Sequence, residues 1–200
     1  MKFYEVTGSL SEPISKVHEW IQEAETDSVA LPHAMNLSSV NSEGKPSSRM
    51  VLLKRVSPEG FVFFTDYEGN KGKQIQAFPF IALTFWWAKT NKQIRIEGKC
   101  KVVSDEENDD YFSSRPRGSQ ISASVSFQSQ ELESYESLVE ESKSFEIDHL
   151  DKDITRPKRW GGFLVEPESI EFWIDQKNRL HKRELYTKVN SKWNRVLLSP

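Results

Sequence analysis

The chain has 200 residues, 27 Lys+Arg and 30 Asp+Glu, and a formal net charge of −3. This length fits one domain, or at most two small ones, and is long enough to bury a core. A charge so close to zero gives no reason to expect a nucleic-acid or acidic-membrane binder. Hydrophobic residues make up 36% and aromatic residues 12%, which excludes disorder and coiled coils and favours strands.

Cysteine and histidine usage excludes several kinds of site. The single cysteine, Cys100, rules out a disulfide framework and a multi-cysteine zinc or iron–sulfur site. No metal is predicted, because no ligand spacing relates the four histidines, His18, His33, His149 and His181. The first residues hold no apolar run of signal-peptide length, and no stretch approaches ~18 apolar residues. We therefore expect a cytoplasmic protein without a membrane partner.

Residues 1–30 predict a helical lead-in. Ser11 is placed to cap a helix, Pro13 falls in its first turn, and apolar residues recur at helical spacing at Ile14, Val17, Ile21 and Ala24. The polar stretch 26–46 is expected to be mostly loop.

Period-2 patterns then predict strands. Four β-rich runs, separated by turn signals, cover residues 48–56, 60–66, 80–87 and 92–103. One face of the fourth run carries Ile94, Ile96, Cys100 and Val102. A short helix is predicted at 69–78, between the second and third strands.

The second half of the chain begins with a helix. Ser104 and Glu107 form a capping box, and Arg115-Pro116 should end that helix. A third helix is expected at 130–145, with an inward face made of Leu132, Tyr135, Leu138, Val139 and Phe145. Two strands (162–165 and 169–173) and a hairpin turning at Asn190-Ser191 complete the chain. Six or more strands with short connections favour a small barrel, because closure hides sheet edges.

Cations are concentrated with hydroxyl groups in three segments, of which the first is SSRMVLLK (47–54). Its apolar strand is bounded by Arg49 and Lys54, which lie on opposite faces of an ideal strand and would contact different groups. The alternative is a core strand with solvated ends.

The second segment is YFSSRPRGSQ (111–120). Its guanidinium groups, hydroxyl donors and backbone N–H groups could together bind a phosphate. Tyr111 and Arg115, at i and i+4, share a helix face. The alternative is a plain helix end with surface arginines.

The third segment, WIDQKNRLHKR (173–183), alternates Arg179, His181 and Arg183, so an extended backbone would project all three to one side. An anionic ligand would relieve their mutual repulsion, whereas His181 alone is more typical of a surface histidine. Weaker candidates are the polar residues Gln93, Gln128 and Ser129. A planar cofactor could also stack on a tryptophan, with core packing as the alternative for each: Trp86, Trp87, Trp160 or Trp173.

Taken together, these segments resemble the pyridoxine/pyridoxamine 5′-phosphate oxidase family, in matching order from about residue 30 to the C-terminus. The matching stretches are SSRMVLLK (47–54), GFVFFTDY (60–67), KQIRIEG (92–98), YFSSRPRGSQI (111–121), QS (128–129), WGGFLVEPESIEFW (160–173) and NRLHKR (178–183). The signal is specific because YFxSRPRxSQ and RLHxR occur in one chain, in this order.

The resemblance implies a single FMN-binding domain over residues 1–200, mainly β with flanking helices (α+β). Its fold would be an antiparallel, Greek-key-like split β-barrel, with residues 160–200 completing the active site. It also implies a homodimer with two FMN sites at the subunit interface. The implied reaction oxidises pyridoxine or pyridoxamine 5′-phosphate to pyridoxal 5′-phosphate, with O2 as electron acceptor and hydrogen peroxide released.

Site residues carry over from the matching motifs. The resemblance implies that the FMN phosphate and ribityl chain contact Arg49, Lys71, Gln128 and Ser129, and that the flavin ring contacts Gln93, Trp173 and Arg183. The remaining cofactor-binding residues are Met50, Val51, Leu52, Phe64 and Thr65. The substrate phosphate would bind Lys54, Tyr111, Arg115 and Ser119, and the catalytic residues covering the pyridine ring would be Arg179 and His181.

The chain departs from the family pattern at a few positions. Asn70 stands where the family usually has an arginine, Ser122-Ala123-Ser124 replaces Gly-Ala-Trp, Ile174 replaces a glutamine, and Lys182 replaces an acid. Two other functions stay open. One is a split-barrel FMN oxidase with a different substrate, such as a phenazine precursor, and the other is a non-catalytic protein that binds FMN or pyridoxal phosphate.

Overall fold

Ten strands form one sheet in residues 3–200, the part of the chain that the computed structural model describes. The strands are β1 (Glu5–Val6), β2 (Ala34–Val40), β3 (Pro46–Leu52), β4 (Arg55–Ser57), β5 (Gly60–Asp66), β6 (Phe80–Trp87), β7 (Lys92–Val102), β8 (Trp160–Ile174), β9 (Lys182–Val189) and β10 (Lys192–Leu198). Their order is β1-β4-β5-β8-β7-β6-β2-β3, with β9 paired to β8 and β10 to β9. Within these residues, the β1–β4 pair is parallel and the other pairs are antiparallel.

Helices cover parts of this sheet, which confirms the predicted fold class, mainly β with flanking helices. They are α1 (Glu12–Thr26), α2 (Asn70–Ala77), α3 (Asp105–Ser114), α4 (Arg117–Val125) and α5 (Tyr135–Asp148). None of these helices, in the described part of the chain, has the length and apolar character needed to cross a bilayer.

Helix α1 packs into the main core as its sequence predicts. Pro13 lies in the first turn, and the buried positions include Ile14, Val17, Ile21 and Ala24. Tyr186 of β9 donates a hydrogen bond to Glu12 (2.8 Å), which ties the start of the helix to the sheet. Residues 1 and 2 of the predicted lead-in lie outside the described residues.

Two parts of the sheet differ from the sequence-based prediction. The sequence predicts mostly loop for residues 26–46, but strand β2 lies within this stretch. It forms a strand because its buried Met35 and Leu37 alternate with polar residues that face away from the core.

Strand β8 is continuous, whereas the sequence predicts two strands there. Pro167 falls at the register shift between Glu97 and Gly98 of β7, where a missing N–H is tolerated.

The helices after β7 follow the prediction only in part. Helix α3 is capped as predicted, with the Ser104 hydroxyl accepting from the Glu107 N–H (3.1 Å). Helix α4, which was not predicted, begins directly after Pro116. Helix α5 packs mainly on α4, at the outside of the molecule, and no residue of it is buried. The predicted inward face is wrong for Leu132 and Tyr135, which are exposed. Its other members, Leu138, Val139 and Phe145, are half-buried, and Phe145 packs against the cluster around Phe112.

Gly72 permits the close approach of α2 to the end of β5. A Cβ at this position would lie 2.3 Å from the Tyr67 carbonyl oxygen and 2.6 Å from that of Asp66. We expect Gly72→Ala to lower the free energy of unfolding by about 1–3 kcal/mol, measured by urea denaturation, because backbone has to shift. Gly118→Ala is the matched control, since nothing lies within 4 Å of its Cβ position. Equal losses in both variants would contradict the steric explanation.

Candidate functional site

A cavity of about 1020 Å³ lies between β3, β5, α2 and the junction of α3 and α4, and we call it the cation cavity. It brings together many of the residues singled out from the sequence: Met50, Val51, Leu52, Lys54, Phe64, Thr65, Lys71, Tyr111, Arg115, Ser119 and Gln128. Motifs that are distant in the sequence therefore converge on one space.

Lys71 lines this cavity and forms a pair of cations with Arg49, which lies close to it but does not itself line the cavity. Lys71 Nζ donates to Thr65 Oγ1 (3.0 Å) and to Gln128 Oε1. Arg49 donates to neutral oxygen atoms, at 2.6 and 3.1 Å, of Ser39 and Gln74. Burial lowers the pKa of Lys71, and the neighbouring Arg49 charge lowers that pKa further. Among residues 3–200, neither cation has a carboxylate at ion-pair distance, so the pair is suited to an anionic ligand.

Lys54 and Arg115 form a second pair of cations in the same cavity. Burial lowers the pKa of both groups, and the Arg115 charge lowers the pKa of Lys54 further. The Nη1 atom of Arg115 is buried and has no hydrogen-bond partner within the described residues. A buried donor without an acceptor is costly, so this guanidinium is suited to an oxyanion that the chain itself does not supply.

Stacked rings lie against Arg115 of this second pair. Phe64 of β5 stacks on Tyr111 (3.9 Å between ring centroids, 18° between planes) and on Trp160 of β8 (5.4 Å, 11°). The Arg115 guanidinium lies 4.4 Å from the Trp160 ring centroid. Burial raises the pKa of Tyr111, so its hydroxyl stays protonated and able to donate. Trp160, which could have stacked on a cofactor, packs within the protein.

Sequence reasoning missed Asp66 and Arg159, which connect the elements around Lys71. Asp66 Oδ1 accepts from two backbone N–H groups of the turn before α2, at 2.7 and 3.1 Å. Its Oδ2 lies 3.1 Å from Arg159 Nε, and Arg159 Nη2 donates to the carbonyl oxygens of Ala123, Ser124 and Ser126. This arginine therefore links the turn carrying Lys71 to the segment carrying Gln128. No local sequence pattern reveals a contact between residues so far apart.

Three further predicted residues lie side by side on the sheet, and we call them the sheet row. Gln93 of β7 is paired with Trp173 of β8, which is paired with Arg183 of β9. The carboxylate of the buried Glu171 accepts from Arg183 Nε (2.7 Å) and Arg95 Nη1 (3.1 Å). The hydrogen bond to Glu171 also raises the pKa of Arg183.

One extended strand does not present Arg179, His181 and Arg183 together, so that prediction is wrong. Of the three, only Arg183 lies on β9. Arg179 ends a 3₁₀ turn and has a φ of 61°, in the left-handed region that breaks strand alternation. His181 follows that turn, and its ring centroid lies 4.5 Å from that of Trp173.

The sheet row does not form part of the cation cavity. None of the sheet row, Arg179 or His181 lines the cavity in the described part of the chain. Strand β8 runs between the two, from Trp160 in the cavity to Trp173 in the row. The residues singled out from the sequence therefore form two separate groups within one chain.

Comparison with known proteins identifies the family. Residues 21–145 match the family described as pyridoxamine 5′-phosphate oxidase, and residues 160–200 match the pyridoxine 5′-phosphate oxidase C-terminal dimerisation region. The chain belongs to the pyridoxamine 5′-phosphate oxidase family. The family predicted from the motifs, and with it the assignment to the oxidoreductases, is confirmed.

Individual relatives agree with this assignment. A Psychromonas ingrahamii protein named pyridoxine/pyridoxamine 5′-phosphate oxidase is 44% identical over 190 residues, which cover 95% of this chain and 88% of that protein. The structure of PhzG from Burkholderia lata, in complex with tetrahydrophenazine-1-carboxylic acid, superposes with a TM-score of 0.90 at 29% identity, covering 95% of this chain and 93% of PhzG.

A second solved structure shares the fold. A pyridoxamine 5′-phosphate oxidase-related, FMN-binding protein from Nostoc punctiforme gives a TM-score of 0.78 at 15% identity, covering 96% of this chain and 100% of that one. The predicted split-barrel fold is confirmed. The match of residues 160–200 to a dimerisation region supports the predicted homodimer.

Removing the Lys71 charge should stabilise the ligand-free protein. The folded-state pKa of Lys71 lies below its unfolded value, so the unfolded chain binds this proton more tightly. The charge therefore lowers the free energy of unfolding at neutral pH, and the penalty disappears only as the pH rises past the unfolded pKa. We expect Lys71→Met to raise the Tm of the ligand-free protein by about 2–4 °C, measured by calorimetry.

Lys73→Met is the matched control for this change. Lys73 lies on the same helix but is exposed, so its replacement should leave Tm nearly unchanged. A lower Tm for Lys71→Met would mean that the bonds to Thr65 and Gln128 outweigh the cost of burying the charge.

Proposed function

We propose that this protein oxidises pyridoxine or pyridoxamine 5′-phosphate to pyridoxal 5′-phosphate, with FMN as cofactor and O2 as electron acceptor. The observation that supports the proposal is the buried, unpartnered Nη1 of Arg115 beside Lys54, in addition to the Lys71–Arg49 pair. FMN brings one phosphate, which needs one pair of cations. A second pair indicates a second phosphate, and a phosphorylated vitamer carries one.

The residues around Lys71 fit FMN. Two cations and neutral polar groups would hold its phosphate and ribityl chain, contributed by Lys71, Arg49, Gln128 and Ser129. Exposed and half-buried apolar side chains of β3, Met50, Val51 and Leu52, would pack on the flavin ring, with Phe64 and Thr65 nearby. Asn70, in place of the usual arginine, gives this phosphate site one cation fewer, although the Asn70 N–H still donates to Ser129 Oγ (3.3 Å).

When bound, FMN would supply the hydride acceptor for the C4′ carbon of the substrate. The alcohol substrate also loses its hydroxyl proton and becomes the aldehyde. With the amine substrate, water hydrolyses the resulting imine and ammonia leaves. O2 takes up the two electrons and two protons and is released as hydrogen peroxide.

The protein's own contribution is position and proton control. Lys54, Arg115 and Ser119, with the Tyr111 hydroxyl, would anchor the substrate phosphate and so fix where C4′ lies, which lowers the entropic cost of reaction. Arg179 and His181 would cover the pyridine ring and hold or move the proton at the 4′ substituent.

The complete site would be shared between two copies of the chain. One copy would supply the cation cavity, and the second would supply the sheet row together with Arg179 and His181. Of the residues in this second set, Trp173, Arg179, His181 and Arg183 fall in the region 160–200 that matches a dimerisation region. We therefore propose that FMN binds at the dimer interface.

We also infer a cytoplasmic location. Cys100 is the only cysteine, and it is buried as a free thiol. Burial raises its pKa to about 12, so the thiol is unreactive. A fold held together without disulfides suits a compartment that keeps thiols reduced.

Arg115→Ala should weaken recognition of the substrate phosphate. We expect the KM for pyridoxamine 5′-phosphate to rise by about 10- to 100-fold, since a charge-assisted contact is worth ~1.5–3 kcal/mol. The assay is O2-dependent formation of pyridoxal phosphate by the purified, FMN-loaded protein. Arg117→Ala is the control, because Arg117 donates to the His149 and Lys152 carbonyl oxygens and does not line the cavity.

The outcomes of this assay separate the competing functions. A flavin-loaded protein that forms no pyridoxal phosphate would contradict the proposal and favour a non-catalytic binder. The likeness to PhzG favours, as the second candidate, an oxidase acting on a phenazine precursor. That candidate predicts oxidation of a substrate without phosphate and kinetics that Arg115→Ala leaves unchanged.

Mixing two variants that are each nearly inactive at a substrate concentration far below their KM should restore activity, measured at that concentration, if the site is shared. A dimer of one Arg115→Ala chain and one Arg179→Ala chain has both changes in one site and neither in the other. Equal mixing with subunit exchange should recover about a quarter of wild-type activity, because half of the dimers are mixed and half of their sites are intact. Arg115→Ala mixed with Lys54→Ala should recover none, since both changes affect the same half. Recovery in neither mixture would contradict the shared site.

A further inference from the structure

Asp175 lies against the imidazole of His181, in the loop between β8 and β9. Its Oδ1 is 3.0 Å from His181 Nδ1. The Asp175 backbone is fixed, because its N–H donates to the Asn91 carbonyl oxygen (3.0 Å). The Trp173 ring packs on the other side of the imidazole, at 4.5 Å between centroids and 39° between planes.

Two groups compete for the same ring nitrogen. The Gln176 N–H lies 3.3 Å from His181 Nδ1 and can donate only if that nitrogen carries a lone pair. The Asp175 carboxylate accepts only if the nitrogen carries a proton. The carboxylate contact is shorter and charge-assisted, so it is the stronger of the two.

The geometry points to Asp175 as the positioning residue that fixes the tautomer of His181. The proton then sits on Nδ1, and the lone pair of the neutral ring sits on Nε2, the atom left to face a substrate. This inference rests on the proposed function, which gives His181 its role. Lys182 follows His181 where the family usually has an acid, so the carboxylate here comes from the other side of the loop.

The 3₁₀ turn Lys177–Arg179 makes this contact possible. Asn178 and Arg179 have φ values of 58° and 61°, and two successive left-handed residues fold the chain back on itself. The reversal returns His181 to the end of β8, next to Trp173 and Asp175. An extended segment would have carried the imidazole away from both.

Nitrogen NMR of the purified FMN-loaded dimer, with ¹⁵N-labelled histidine rings, tests the inference directly. The His181 signals are assigned from their loss in His181→Gln, and spectra are taken at alkaline pH, where the two nitrogen shifts of a neutral imidazole distinguish its tautomers. We expect the proton on Nδ1 in the wild type. In Asp175→Ala the carboxylate is gone and the Gln176 N–H remains, so we expect the proton on Nε2. Lys177→Ala, a charge change in the same loop, should keep the wild-type tautomer.

Kinetics supply the second measurement. Asp175→Ala should lower kcat by about 10- to 100-fold, as loss of a partner that orients an active histidine does, while the FMN dissociation constant stays within about twofold. A wild-type proton on Nε2, or the same tautomer with and without Asp175, would overturn the inference. If the wild type made no pyridoxal phosphate, the proposed function would fail instead, and the NMR result would still decide where the proton lies.

Discussion

Partly buried cations without ion-pair partners, in and next to one cavity, are the feature that the rest of this structure has to support. Lys54 lies near Arg115, and Lys71 near Arg49, so each pair combines loss of solvation with repulsion between like charges. Both effects lower the pKa of the lysines and cost folding free energy. Among residues 3–200 no carboxylate compensates these charges at ion-pair distance, which leaves that task to anionic ligands.

Buried arginines outside the cavity hold these cations in position. Arg156 has a side chain only 2% exposed and binds Asp105 (2.6 Å) and Asp109 (2.5 Å), which ties α3 to the loop before β8. Arg159 does the same for the turn before α2 through Asp66. Buried ion pairs are weak evidence for stability, because desolvation offsets their attraction. Their contribution here is geometric, since they fix the helices and turns on which the ligand-facing cations lie.

Local sequence patterns, such as helical spacing, capping residues and turn residues, predict much of this fold. Contacts between residues that are far apart in the sequence could not be predicted in this way. The spacing in α1, the cap at Ser104 and the hairpin turn at Asn190-Ser191, with φ values of 48° and 63°, are all local and all agree with the structure. The motifs also predicted residues that meet in the cation cavity. The Asp66–Arg159 contact and the left-handed backbone at Arg179 depend on tertiary packing, and strand alternation alone predicted the wrong direction for Arg179.

In the proposed shared site, ligand binding and the association of two chains would be thermodynamically linked. A ligand that touches both the cation cavity of one copy and the sheet row of another would bind the dimer more tightly than the monomer. The free energy by which the dimer improves ligand binding equals the free energy by which the ligand stabilises the dimer. The sheet face that carries the row also exposes Met50, Phe80 and Trp86. Large apolar side chains exposed on one face are typical of an interface. A lone chain would hold uncompensated cations and solvated rings at once. In the proposed shared site, assembly around an anionic, planar ligand would relieve both costs in a single step.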